Sequence, residues 1–225
     1  MKEAQTGGEA EEWGHMSAAV VLMAVPAQAA TVIDFSTGNS GNGGQVYFDG
    51  SNIVGSNIPI GNLNVSGAPT GNGDYLVYGT ATSSVPGRMS GDLDFSTQLG
   101  TVSVAGCIPG LVGSLNASGA CTQVLTLVTG TLSQFSNVFN LNSFVAFVGN
   151  DTKNATLLAA LGVSPNTPFM LTGSVQTGTP FGQGIQNSRP SVSSDVANTA
   201  VPEPATMMLL GTGLLAAFRA RRRTA

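Results

Sequence analysis

Short runs of Val, Ile, Phe, Tyr and Thr recur along this chain, each closed by a cluster of Gly, Asn or Pro. β-Branched and aromatic side chains fit a pleated surface, and Gly, Asn and Pro serve the turns between strands. The runs at 31–35, 45–49, 62–66, 74–80, 90–96, 99–105, 123–132, 143–148 and 169–177 therefore predict nine strands. Residues 90–96 alternate, with Ser90, Asp92, Asp94 and Ser96 on one wet face and Leu93 and Phe95 on the other. Residues 143–148 are apolar on both faces and predict a central strand. One short helix is expected near 152–161. Asp151 or Thr152 would cap it, Ala155, Leu157, Leu158 and Leu161 would form its apolar stripe, and Gly162 would stop it before Pro165. The expected fold is all-β, an antiparallel, jelly-roll-like β-sandwich over residues 30–190. A β-helix is the alternative, and the absence of a fixed-period repeat counts against it. Residues 191–200 (Ser-Val-Ser-Ser-Asp-Val-Ala-Asn-Thr-Ala) read as a polar linker.

A length of 225 residues fits one domain plus terminal signals. Only 9% of residues are charged and 30 are glycine, as in secreted β-rich proteins. Residues 30–200 hold three basic residues (Arg88, Lys153 and Arg189) against seven aspartates (Asp34, Asp49, Asp74, Asp92, Asp94, Asp151 and Asp195). Nothing there could neutralise a run of phosphates, which excludes nucleic acid as a partner. Cys107 and Cys121 close a loop of about 15 residues, and in an exported chain that pair reads as a disulfide worth about 3 kcal/mol.

Residues 1–29 read as an N-terminal extension and signal peptide. Ser17 to Val25 is apolar, Pro26 follows, and Ala27-Gln28-Ala29 is an Ala-x-Ala cleavage site, so the mature chain would begin at Ala30. The leader carries Glu3, Glu9, Glu11 and Glu12 behind Lys2, where a signal peptide wants positive charge. The expected start is therefore Met16 or lies upstream.

Residues 201–225 have three parts. Val201-Pro202-Glu203-Pro204 comes first, an uncharged run from Ala205 to Phe218 follows, and Arg219, Arg221, Arg222 and Arg223 close the chain. Prolines at 202 and 204 favour an extended motif with a helix starting after it. A 14-residue helix is roughly 21 Å long against a bilayer core of about 30 Å, a gap that snorkelling arginines or local thinning would cover. The positive-inside rule keeps the arginines cytoplasmic and places the body outside.

Pro-Glu-Pro, a short apolar helix and an arginine cluster, in that order at the C-terminus, resemble the PEP-CTERM sorting signal. That resemblance covers about 25 of 225 residues. It implies export in a Gram-negative bacterium that makes exopolysaccharide. It also implies transient anchoring in the inner membrane through the C-terminal transmembrane helix. An integral-membrane exosortase would process the tail near Pro-Glu-Pro, releasing the protein to the cell surface or extracellular matrix. Association with extracellular polysaccharide is likewise an implication of the resemblance.

The body offers little chemistry. His15 precedes the expected cleavage site, so the mature chain lacks the imidazole of a Ser-His-Asp triad or of a His-metal site. Asp92 and Asp94 are the candidate carboxylate pair of a hydrolase, with Cα atoms roughly 6–7 Å apart on one strand face. A solvated edge is the plainer reading of that pair. Lys153, the lysine a Ser–Lys pair would need, reads as a solvated residue in the first helical turn. Asp49-Gly-Ser-Asn52 and Asn150-Asp151 could offer oxygens to calcium, although neither completes an EF-hand loop. Tyr47, Tyr75 and Tyr78 could stack on sugars but read first as core or rim residues. The expected protein is non-catalytic, with no cofactor and no metal. The alternative is a carbohydrate- or calcium-binding adhesin.

Overall fold

The structure, a computed structural model, describes residues 30–40, 43–49, 51–82, 86–138, 144–178, 187–201, 211–215 and 219. Twelve strands run in chain order: β1 (Val32–Ser36), β2 (Gly43–Phe48), β3 (Ile53–Ile60), β4 (Asn62–Ser66), β5 (Gly73–Leu76), β6 (Tyr78–Thr82), β7 (Met89–Ser96), β8 (Thr101–Gly106), β9 (Leu125–Val138), β10 (Phe144–Lys153), β11 (Phe169–Thr177) and β12 (Asn187–Ala200). All of their pairings are antiparallel.

The all-β, antiparallel expectation holds, but the sandwich does not. The strands form one curled, half-barrel sheet in place of two stacked ones, in the order β11-β10-β9-β8-β7-β3-β2-β12-β1-β4-β5, with β6 beside β7. β11 also pairs with β12. At Ser191 the last strand faces Thr177 of β11 on one side and Gly43 of β2 on the other. Register breaks in β9–β10, β3–β7 and β8–β9 supply the bending that lets one sheet curl over its own core. β1 and β2 lie end to end against β12, separated by a 3-10 turn at Gly38–Ser40. At that break β4 and β5 branch away with β1.

Ile33, Phe35, Ile53, Ile58, Leu93, Phe95, Leu127, Phe147, Phe169 and Leu171 fill the concave side, each no more than 2% exposed. Phe95 and Phe147 pack with ring centroids 5.4 Å apart. Each ring lies where a Cβ would stand on a facing glycine: Gly55 for Phe95 and Gly173 for Phe147. The missing side chains make room for the aromatic pair, a trade that gains aromatic contact where a strand glycine alone would lose packing.

Eight of the nine predicted runs each overlap one strand, with β9 and β10 running well past the predicted ends. The ninth, 74–80, divides into β5 and β6 at Val77, whose N–H turns to Gly61 O at 3.0 Å. β3 and β12 were not predicted. Residues 191–200 are no linker: they are the last ten of the 14 residues of β12, paired with β11 on one side and β1 on the other. Their inward positions are partly polar, which hides the strand alternation. Buried Ser194 meets the Thr37 hydroxyl at 2.8 Å, and buried Asn198 donates to Ile33 O and Val196 O. The body therefore extends to residue 200, not 190.

The wet face expected on β7 is mostly covered. Ser90, Asp92 and Ser96 are buried and Asp94 is exposed, because β6 lies on β7 and the Ser40 hydroxyl reaches Ser90 at 2.5 Å. β10 is central, between β9 and β11, yet Val148 on it is exposed. The helix, α1, is shorter than expected at six residues, Ala155–Ala160. β10 runs on through Lys153, so the cap is Asn154, whose Oδ1 accepts from Thr156 N at 2.9 Å and Leu157 N at 3.3 Å. Leu157, Leu158 and Leu161 are buried as expected, while Ala155 is exposed. Gly162 ends the helix at φ +66°, a left-handed conformation that suits glycine.

Candidate sorting site

β12 carries the chain straight to the sorting motif. Ala200 N donates to Thr31 O and Val201 N to Pro168 O, both at 2.9 Å. Val201 is 42% exposed. The next residue, Pro202, has no N–H, so the ladder cannot extend through it. Pro202, Glu203 and Pro204 lie outside the described residues, as do Arg221, Arg222 and Arg223. Arg219 is described, helical and exposed, and residues 211–215 are helical. Among the described residues no helix is long and apolar enough to cross a membrane. Ala27 and Ala29 of the expected cleavage site also lie outside the described residues.

The cysteine pair is where the sequence placed it. Cys107 and Cys121 form a disulfide. The loop between them is tied locally: Ile108 pairs with Val112, Leu115 pairs with Cys121, and Cys107 pairs with Tyr78 at the start of β6.

Asp92 and Asp94 do not converge on a shared point. Asp94 Oδ1 accepts Asn57 N at 2.8 Å and so satisfies an amide in the register break of β3. Asp92 Oδ2 accepts the Thr80 hydroxyl at 2.5 Å. Burial pushes the Asp92 carboxyl upward, Thr80 pulls it back, and the Asp94 charge adds to the rise. The two carboxylates among the proposed calcium ligands are also engaged, while Asn150 is exposed. Asp49 accepts Ser51 N and Asn52 N at 2.8 and 2.6 Å, which closes its own turn and holds its carboxyl below the usual range. Asp151 is committed to Lys153. The tyrosines are dispersed. Tyr47 is exposed on β2, Tyr75 donates to Gly71 O at 2.9 Å, and Arg88 sits 5.2 Å over the Tyr78 ring.

Two charged features went unread in the sequence. Lys153 is buried, not solvated. Its Nζ lies 2.6 Å from Asp151 Oδ2 and 4.0 Å from the Phe169 ring centroid. On an extended strand, residues two apart share a face, and here both point inward. Burial lowers the Lys153 pKa to about 8 despite the Asp151 charge, and burial raises the Asp151 pKa despite the Lys153 charge. For both partners desolvation outweighs attraction.

The second feature is Asp34 on β1, diagonal to Asp195 on β12. Burial, the hydrogen bond to Asp195 and the Asp195 charge together raise the Asp34 pKa to about 7. A carboxyl with a raised folded pKa stabilises the fold at low pH, and that contribution is lost as pH rises from about 4 to about 7. Asp34→Asn is therefore expected to raise the thermal midpoint at pH 8 and leave it nearly unchanged at pH 4. Melting curves at the two pH values check this, and an equal shift at both would contradict it.

Residues 200–223 match the family model of the PEP-CTERM protein-sorting motif. The match covers that segment alone. Neither a curated protein nor a solved structure matches the chain. The motif marks an exported protein that an exosortase sorts by a membrane-anchored tail.

Proposed function

We propose that the protein is a non-catalytic cell-surface or matrix protein of a Gram-negative bacterium. An exosortase would process it near Glu203, and its β body would then associate with extracellular polysaccharide. The observation that carries the reading is the sorting motif, which follows a folded, disulfide-closed body with no break. In this reading Pro202, Glu203 and Pro204 are the recognition element. The apolar run holds them at the membrane surface, and Arg219, Arg221, Arg222 and Arg223 set the orientation.

The outer side of the sheet supports the polysaccharide part. Exposed Thr101, Thr131 and Asn150 stand in one row across β8, β9 and β10, and exposed Thr129 and Thr152 face each other in the next. Uncharged hydroxyl and amide groups on a sheet can exchange hydrogen bonds with sugar hydroxyls without desolvating a charge. The body, residues 30–201, is expected to sediment with exopolysaccharide from its host. Thr131→Glu, at the middle of the first row, is expected to reduce the bound fraction several-fold. A body that stays in the supernatant would remove the polysaccharide association and leave the sorting reading standing.

A further inference from the structure

We infer that the end of the body from which the tail leaves lies directly on the lipid surface while the tail is held in the membrane. This inference rests on the sorting reading. Its first support is the lack of a spacer. The chain is hydrogen-bonded into the body through Val201, and the apolar run begins at Ala205. From Val201 to Ala205 the chain takes four Cα steps, which can span at most about 14 Å. A tail inserted from Ala205 onward therefore leaves the body no room to stand off.

The second support is the composition of that end. Two loops build it with α1, and they are joined by hydrogen bonds. Thr70 N and Oγ1 donate to Leu161 O and Ala160 O at 3.1 and 3.0 Å. Thr31, whose carbonyl accepts Ala200 N, donates its hydroxyl to Gly67 O at 3.2 Å. Pro168, which accepts Val201 N, ends the loop after α1. Residues 66–72 and 154–168, which make up the two loops and the helix, contain no charged residue. Their exposed positions include Pro69, Thr70, Ala155, Ala159, Pro165 and Asn166.

Asp34 on β1 pairs with Ala197, three residues back from Ala200, and is half-buried, while Asp49, Asp92, Asp94 and Asp195 lie farther off. Asp49 is in the turn between β2 and β3, and Asp92 and Asp94 are within β7. Asp195 is five residues back along β12, about 17 Å at the rise of a strand. Asp74 is exposed and stands two residues past the neutral loop, where the Asn64 amide donates to its carboxylate at 2.6 Å. Lys153, next to α1, is buried with its partner. An anionic lipid surface repels carboxylates, and pressing any charge against head groups costs desolvation. Neutral loops at the one end that the tail must hold close avoid both costs.

The test uses the full chain bound to vesicles of phosphatidylethanolamine and phosphatidylglycerol whose head groups carry a fluorescence quencher. One fluorophore is attached at Asn166→Cys, on the neutral end, and in a second protein at Ser51→Cys, in the turn after β2. Both positions are exposed, and both proteins are checked for the native thermal midpoint. The expected result is quenching several-fold stronger at position 166 than at 51. A Gly-Ser spacer of about 12 residues inserted between Ala200 and Val201 adds roughly 17–21 Å of reach. It should bring position 166 down to the level of position 51. A chain that floats with the vesicles but shows equal quenching at both positions, or quenching at 166 that the spacer leaves unchanged, would overturn the inference. The first outcome would leave the neutral end free, or covered by the exosortase, with the sorting reading intact. A chain that does not float with the vesicles would overturn the inference together with the membrane-held tail.

Discussion

Lys153→Met is expected to lower the stability of the body by about 3–5 kcal/mol, the usual cost of removing one partner from a buried ion pair. The residue left behind is Asp151, whose side chain is inaccessible to solvent and whose Oδ1 already has no hydrogen-bond partner. Without the ammonium it must be desolvated alone or take up a proton. The loss should therefore depend on pH in a stated direction. A buried carboxyl with a raised pKa stabilises the fold only while protonated, so the variant should be more impaired at pH 8 than at pH 4. The contact of the ammonium with the Phe169 face is lost as well, worth on the order of 2 kcal/mol when desolvated. The double change Asp151→Leu with Lys153→Met should recover most of the stability. Desolvation already outweighs attraction in both partners, so two apolar side chains remove a cost along with a bond. Chemical denaturation of the single and double variants checks this. A double variant no more stable than Lys153→Met would show that the pair contributes more than it costs.

Removing the disulfide by Cys107→Ala with Cys121→Ala should cost about 3 kcal/mol, as the loop of about 15 residues gains freedom in the unfolded chain. The effect should not spread far through the sheet. The loop keeps its own bridges, Ile108 with Val112 and Leu115 with Cys121, and buried Ile108 and Val112 still anchor it to the core. The denaturation midpoint should therefore fall, and the dependence on denaturant should stay the same or rise slightly, because the unfolded chain without the cross-link is less compact. An unchanged midpoint would mean that the bond restricts the unfolded chain no more than residual structure in that loop already does.

The sequence showed what is local and left out what depends on partners. Strand runs such as 62–66 and 169–177 were readable because their own side chains alternate. β3 was lost because Gly55, Asn57 and Pro59 break its pattern. Those residues serve a register break whose amide is satisfied by Asp94, a residue 37 positions away. β12 was lost because Ser194 and Asn198 occupy inward positions, and their partners are Thr37 and the Ile33 carbonyl. Lys153 was misplaced for a related reason. Asp151-Thr-Lys looks like a helix start, but the strand continues and turns both charges inward. The sandwich failed because the difference between two stacked sheets and one curled sheet lies in the pairing of β12, a strand that had been read as linker. The disulfide and the sorting tail were legible because each is written in adjacent residues or in a simple pair. A recognition signal read by an enzyme has to be local, and this one is.

The measurement that tests the central claim most directly is the intact mass of the protein recovered from its host, compared with a variant in which Pro202, Glu203 and Pro204 are all alanine. Wild-type protein should lack both the residues before Ala30 and those after the motif, while the variant should keep its C-terminal residues. Wild-type protein that retains residues 205–225 would mean that the tail is a permanent anchor or an ordinary helix, and that no exosortase processes this chain.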